Sequence, residues 1–126
     1  MDREVVTGAD LPPAIGPYSH AVRAGGFVFV SGQPGVDPAT GDVPDSFGGQ
    51  ARQAFANLAT VLRVAGSRPD LVVSTTVLVV DQADFAEMNA LFADSFPTDP
   101  PARMTMQVPL PHGLLISIGC TAVEAS

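Results

Sequence analysis

Leu71-Val72-Val73-Ser74-Thr75-Thr76-Val77-Leu78-Val79-Val80 is too rich in valine and threonine to prefer a helix. β-Branched side chains lose rotamer freedom against a helical turn but pack well on a pleated surface. The run therefore reads as a buried strand, apolar on both faces. Helical patterns lie on either side of it. Upstream, Phe47, Ala51, Ala54, Leu58, Val61, Leu62 and Ala65 recur on one helix face over about Phe47–Ala65. Ser46 or Asp45 can cap that helix and Gly66 can end it. Downstream, Asp81–Ser95 puts Phe85, Met88, Leu91 and Phe92 on one face of a second helix.

Further out, short apolar runs at Val5-Val6, His20–Arg23 and Phe27–Ser31 read as strands, with Ala24-Gly25-Gly26 supplying a hairpin turn. Gln33–Asp45 holds three prolines and two glycines and is read as loop. Two strands close the chain, Arg103–Val108 and Leu114–Val123, joined by Pro109-Leu110-Pro111-His112-Gly113. Pairing them as a hairpin, polar face to polar face, sets Val108 opposite Leu114, Thr105 opposite Ser117 and Arg103 opposite Gly119. The order is βββ-α-β-α-ββ: an α+β fold, one domain over residues 1–126, with two helices on one face of a sheet. No helix is left to cover the other face. That face is wet or meets another subunit, and the strand apolar on both sides favours a homo-oligomer.

Composition narrows the function classes. The 126 residues are 46% hydrophobic, enough for a real core. The formal charge is −7, and Arg3, Arg23, Arg52, Arg63, Arg68 and Arg103 are the whole cationic inventory beside the two histidines. Such a balance argues against nucleic acid and against an anionic membrane surface, since both are bound through cationic contacts. Cys120 is the single cysteine, which excludes an intramolecular disulfide and any multi-cysteine metal site. Met1-Asp2-Arg3-Glu4 lacks the basic and apolar regions of a signal peptide. The Leu71–Val80 run is about half of the ~20 residues that span a bilayer. A soluble, cytoplasmic protein is expected. His20 and His112, far apart in sequence, are no metal signal.

Arg103 follows Pro100-Pro101-Ala102, which stiffen its approach to a strand. An isolated guanidinium there suits two-point binding of a carboxylate, because it offers a planar fork of donors. The competing reading is a surface salt bridge. Tyr18, the only tyrosine, follows Gly16-Pro17 and reads as a core or interface aromatic. His20 alternates with Val22 and is expected exposed or at an interface. His112 belongs to a solvated turn. Neither histidine is placed to make Ser31 a nucleophile. Asn89 can cap a loop or touch a ligand, Gly32 and Gly35 can serve turn geometry or close ligand approach, and Gly48-Gly49 lacks the further signature of a phosphate loop.

Four motifs occur in order: Gly16-Pro17-Tyr18-Ser19-His20-Ala21-Val22, Ser31-Gly32-Gln33, Phe85-Ala86-Glu87-Met88-Asn89 and Pro101-Ala102-Arg103. Together, from about Ala14 to Val123, the chain resembles the Rid family of reactive intermediate deaminases, also known as YjgF-like or endoribonuclease L-PSP proteins. The resemblance implies a chorismate-mutase-like homotrimer whose sheets form a central barrel with ligand clefts between subunits. It implies hydrolysis of 2-imino or enamine acids to 2-keto acids and ammonia, without a cofactor or metal. By position, Arg103 matches the arginine that grips the substrate carboxylate, Tyr18 the cleft tyrosine, Ser31 and Gly32 the strand bordering the ligand, and Asn89 the asparagine of the second helix. Two positions depart from the pattern. Thr105 stands where many members have cysteine, and Gly119 where archetypal deaminases carry a water-handling glutamate. Tyr18, Thr105 and backbone groups are then left to position the water, with altered or weakened activity. The alternatives are a cleft specialised for a bulkier carboxylate and a non-catalytic small-carboxylate binding protein. The acid balance and the lack of a paired histidine site speak against a ribonuclease.

Overall fold

A computed structural model describes residues 2–126 of the chain. The strands are β1 (Arg3–Val5), β2 (Ala21–Ala24), β3 (Phe27–Pro34), β4 (Val72–Val79), β5 (Ala102–Gln107) and β6 (Ile116–Val123), and the helices are α1 (Phe47–Val64) and α2 (Phe85–Ser95). The strands form one mixed sheet in the order β1-β2-β3-β6-β4-β5. Only β4 and β5 pair in parallel. The βββ-α-β-α-ββ order holds, and both helices lie on one face. Gln33 and Pro34, read as loop, extend β3.

Local chemistry explains the main elements. Gly25 and Gly26 both have positive φ, 60° and 84°, as a two-residue hairpin between paired Ala24 and Phe27 requires. Ser46 caps α1 by accepting from the Gly49 N–H at 3.0 Å. The helix buries Phe47, Ala51, Ala54, Leu58, Val61 and Leu62 against the sheet, and α2 adds Met88 and Phe92. From the strands come Val28, Val30, Val77, Val79, Ile116, Ile118, Cys120 and Ala122. Gln50, also buried, holds the connector between β5 and β6. Its Nε2 donates to the carbonyls of Pro44 and Gly113, and its Oε1 accepts from the Leu115 N–H.

The closing strands do not form the hairpin that their short connector implied. β5 lies at the sheet edge beside β4, while β6 runs between β3 and β4. The reason is topological. A strand returning from a helix crossover pairs in parallel with the strand before that helix, and β4-α2-β5 is such a unit. The last strand, with four core-facing apolar residues, takes the central slot. His112 and Gly113, at φ 59° and 72°, turn the chain across to reach it. Arg103 thus pairs with Thr75, and Gly119 with Thr76.

The sheet face away from the helices carries Phe27, Phe29, Met104, Met106 and Val123, all exposed. Met104 is 59% accessible. On β4 that face is more polar than expected, because Ser74 and Thr76 stand there.

Candidate active site

Arg103 and Gly119 are on opposite faces of the sheet. Arg103 pairs with Thr75, and Thr75 with Cys120, both buried toward the helices. Gly119 pairs with Thr76 on the uncovered face. Side chains alternate along a strand, so two neighbouring register positions point in opposite directions. Arg103 and Gly119, set opposite each other by the hairpin pairing, therefore do not face each other within one chain.

On the helix side, the Arg103 guanidinium carbon lies 4.8 Å from the centre of the Phe92 ring, and Nη1 is 3.8 Å from the Met88 sulfur. Such a cation-on-ring contact holds the side chain without consuming its charge. Among the described residues no carboxylate pairs with Arg103, whereas Arg23, Arg63 and Arg68 are each paired. A hollow of 420 Å³ opens beside it, lined by Asn89, Phe92, Ala93, Phe96 and the prolines 97, 100 and 101. The structure therefore brings two sequence-selected residues, Arg103 and Asn89, to one place. A cation and an amide inside apolar walls can hold a carboxylate with an organic substituent. Thr105 is two residues along on the same face, and its hydroxyl is buried without a hydrogen-bond partner.

On the uncovered face a second hollow, also 420 Å³, is lined by Ser19, Ser31, Ser74, Thr76, Thr121 and Gly119, with Val22 and Phe29 as apolar wall. Here β3 bulges. Val30 is opposite Cys120 and Gln33 opposite Ile118, so Ser31 and Gly32 together face Gly119. The packing is tight. A Cβ on Gly119 would sit 3.1 Å from the Val30 carbonyl oxygen, and one on Gly32 would sit 2.6 Å from the Ser117 hydroxyl. Ser31 Oγ donates to the Ser19 carbonyl at 2.6 Å and touches neither histidine. Tyr18 is exposed and lines neither hollow; its ring meets that of His20 edge-on, with centroids 5.8 Å apart.

His20 corrects a sequence expectation. It is 9% accessible rather than exposed, and its Nδ1 lies 3.2 Å from Gln33 Nε2. Alternation failed there because residues 18–20 precede β2 and are not yet in its pleat. The residues that sequence reasoning missed are the hydroxyls at Ser19, Ser74, Thr76 and Thr121. Ser74 and Thr76 left a signal: polar side chains at alternate positions in a valine strand mark a face that is not core. Burial pushes the Cys120 thiol up to about 12, so it is no nucleophile at neutral pH. The described residues contain no group of three or more histidine, cysteine, aspartate or glutamate side chains that could hold a metal ion. None of their helices is long and apolar enough to cross a membrane.

Residues 8–124 match the family described as Endoribonuclease L-PSP. The chain is 41% identical over 124 residues to Reactive Intermediate Deaminase A, chloroplastic, of Arabidopsis thaliana, covering 97% of this chain and 66% of that one. It is 40% identical to the 2-iminobutanoate/2-iminopropanoate deaminase of Mus musculus, covering 97% of this chain and 92% of the other. Among solved structures, the YjgF gene product from E. coli superposes with a TM-score of 0.89 at 36% identity, covering 97% of this chain and 99% of that one. RidA from the Antarctic bacterium Psychrobacter sp. superposes at 0.91 with 35% identity, covering 95% and 98%.

Proposed function

The chain belongs to the Endoribonuclease L-PSP family, the family of the reactive intermediate deaminases, and from that premise we propose that it hydrolyses 2-imino or enamine acids to 2-keto acids and ammonia. The observation that carries this reading is the unpaired Arg103, steadied by Phe92 and facing an apolar hollow beside Asn89. Arg103 takes the substrate carboxylate in a two-point contact. Water adds to the imine carbon while the nitrogen, already protonated as an iminium, accepts the electron pair. Collapse of the resulting amino alcohol expels ammonia and leaves the ketone. The carboxylate grip places the imine carbon, and oriented hydroxyls place the water.

Arg103 and Asn89 form one half of the cleft, and Ser31 and Gly119 form the other, with Gly32 beside them in the bulge and Tyr18 at the rim. Because Arg103 and Gly119 are on opposite faces of one sheet, the halves come from two subunits. A homotrimer with its sheets around a central barrel achieves this and covers the exposed phenylalanines and methionines of the bare face. Thr105 contributes its unpartnered hydroxyl to the water after rotating about χ1. With glycine at 119 the water has no carboxylate base, and turnover is accordingly slow.

The test is ammonia release from 2-imino acids generated in situ from several amino acids. Rates above the uncatalysed background support the reading, and rates equal to it leave a small-carboxylate binding protein in its place. Light scattering tests the assembly. A trimer mass is expected, and a stable monomer at micromolar concentration contradicts the composite cleft.

A further inference from the structure

The bulge at Ser31-Gly32 is fastened by four hydrogen bonds, and His20 takes part in two of them. The Ser31 N–H donates to the His20 carbonyl at 2.9 Å, and the Ser31 hydroxyl donates to the Ser19 carbonyl at 2.6 Å. Gln33 Nε2 donates to the Ser31 carbonyl at 3.1 Å and lies 3.2 Å from His20 Nδ1. The Ser31 carbonyl can only accept, so the Gln33 atom between them is the amide nitrogen, and both its hydrogens are committed. His20 Nδ1 is therefore an acceptor, and the ring hydrogen is on Nε2. That nitrogen is buried and has no partner.

A buried N–H without a partner costs stability at this position. The imidazole is also no proton carrier for a ligand, since Nδ1 is occupied and Nε2 is sealed. What it does is join two segments. Nδ1 meets Gln33 in β3, and the ring meets Tyr18 edge-on in the segment that approaches β2. We propose that His20 is a positioning residue, which with Gln33 fixes the Ser31-Gly32 bulge and sets where Tyr18 stands beside it. This rests on the reading above, in which Tyr18, Ser31 and Gly32 border the ligand.

Tyr18 is the only tyrosine and the chain has no tryptophan, so its intrinsic emission reports that one ring. In the wild-type protein, ¹⁵N-histidine NMR should show His20 with its hydrogen on Nε2 and Nδ1 accepting, the His112 signal being identified with His112→Gln. His20→Leu should make Tyr18 emission more accessible to acrylamide. It should also lower kcat for in-situ imines by about ten- to a hundredfold, the scale of a misplaced cleft group. His20→Gln, whose side-chain carbonyl can accept from Gln33 but which has no ring to meet Tyr18, should recover part of kcat and leave the quenching raised. A hydrogen on Nδ1, or a His20→Leu protein that quenches and turns over like wild type, overturns the proposal. Should the leucine variant not fold, Gln33→Met carries the same quenching measurement with the same expected rise. A wild type without any turnover refutes the deaminase reading, and the NMR and quenching results still decide the role of His20.

Discussion

Arg103 is held by an aromatic ring and a thioether rather than by a carboxylate, so its charge is free for a ligand. Once a neighbouring subunit closes the proposed cleft over it, Arg103→Ala should weaken binding of a 2-keto acid by about 2–5 kcal/mol, the usual loss for a charge-assisted contact in a desolvated site. Arg103→Lys should do nearly as much harm, because a point charge cannot reproduce the fork. Calorimetric titration reads both, and unchanged affinity would make the arginine structural. Gly119 invites the opposite experiment. Its uncovered-face position means that a glutamate there cannot pair with Arg103 of its own chain. Gly119→Glu should raise imine hydrolysis at least about tenfold, within the range of a single acid or base group. It should also cost about 1–3 kcal/mol of stability, since its Cβ would press on the Val30 carbonyl. A destabilised but folded variant with no gain in rate would show that no base is missing at 119. Cys120 supplies a pH signature. Its thiol moves from 9.0 to about 12 on burial, so between those values the unfolded chain has lost a proton that the native chain keeps. Stability should therefore fall as pH rises through that window, and urea titrations should show the fall reduced in Cys120→Ala.

At the scale of elements, Gln50 ties the entry of α1 to the connector between β5 and β6. Gln50→Leu would leave buried groups unpartnered at about 1–3 kcal/mol each. The urea midpoint should drop correspondingly while the slope stays unchanged. That connector is also where reading the sequence failed. Helix periodicity and valine content were enough to find α1, β4 and α2, because each buries a face whose repeat is written in consecutive residues. Pairing between strands is not local. A five-residue turn after Val108 is compatible with a hairpin, and nothing in it records that the last strand crosses to the other side of β4. Arg103 and Asn89 could be selected by motif and do share a hollow. The polar face opposite them could not be assembled, since its side chains come from β2, β3, β4 and β6 together. His20 was missed for a related reason: period-two alternation holds only inside a pleated strand.

For the whole molecule, the composite cleft proposed above would make the two hollows a pair of half-sites that a single subunit carries back to back. Damage to one half need not be inherited by the other, which makes the assembly a candidate for genetic-style complementation. Arg103→Ala removes the cationic half and leaves the hydroxyl-lined half intact. Thr76→Phe blocks the hydroxyl-lined half without touching Arg103. Each protein alone should be inactive. Unfolded together and refolded, they should form mixed rings in which some clefts unite an intact arginine with an unblocked neighbour, and ammonia release should return in part. Recovery should scale with the product of the two mole fractions and vanish at either extreme. Mixed rings without any recovery, their composition verified by native mass spectrometry, would mean that each chain keeps its chemistry to itself.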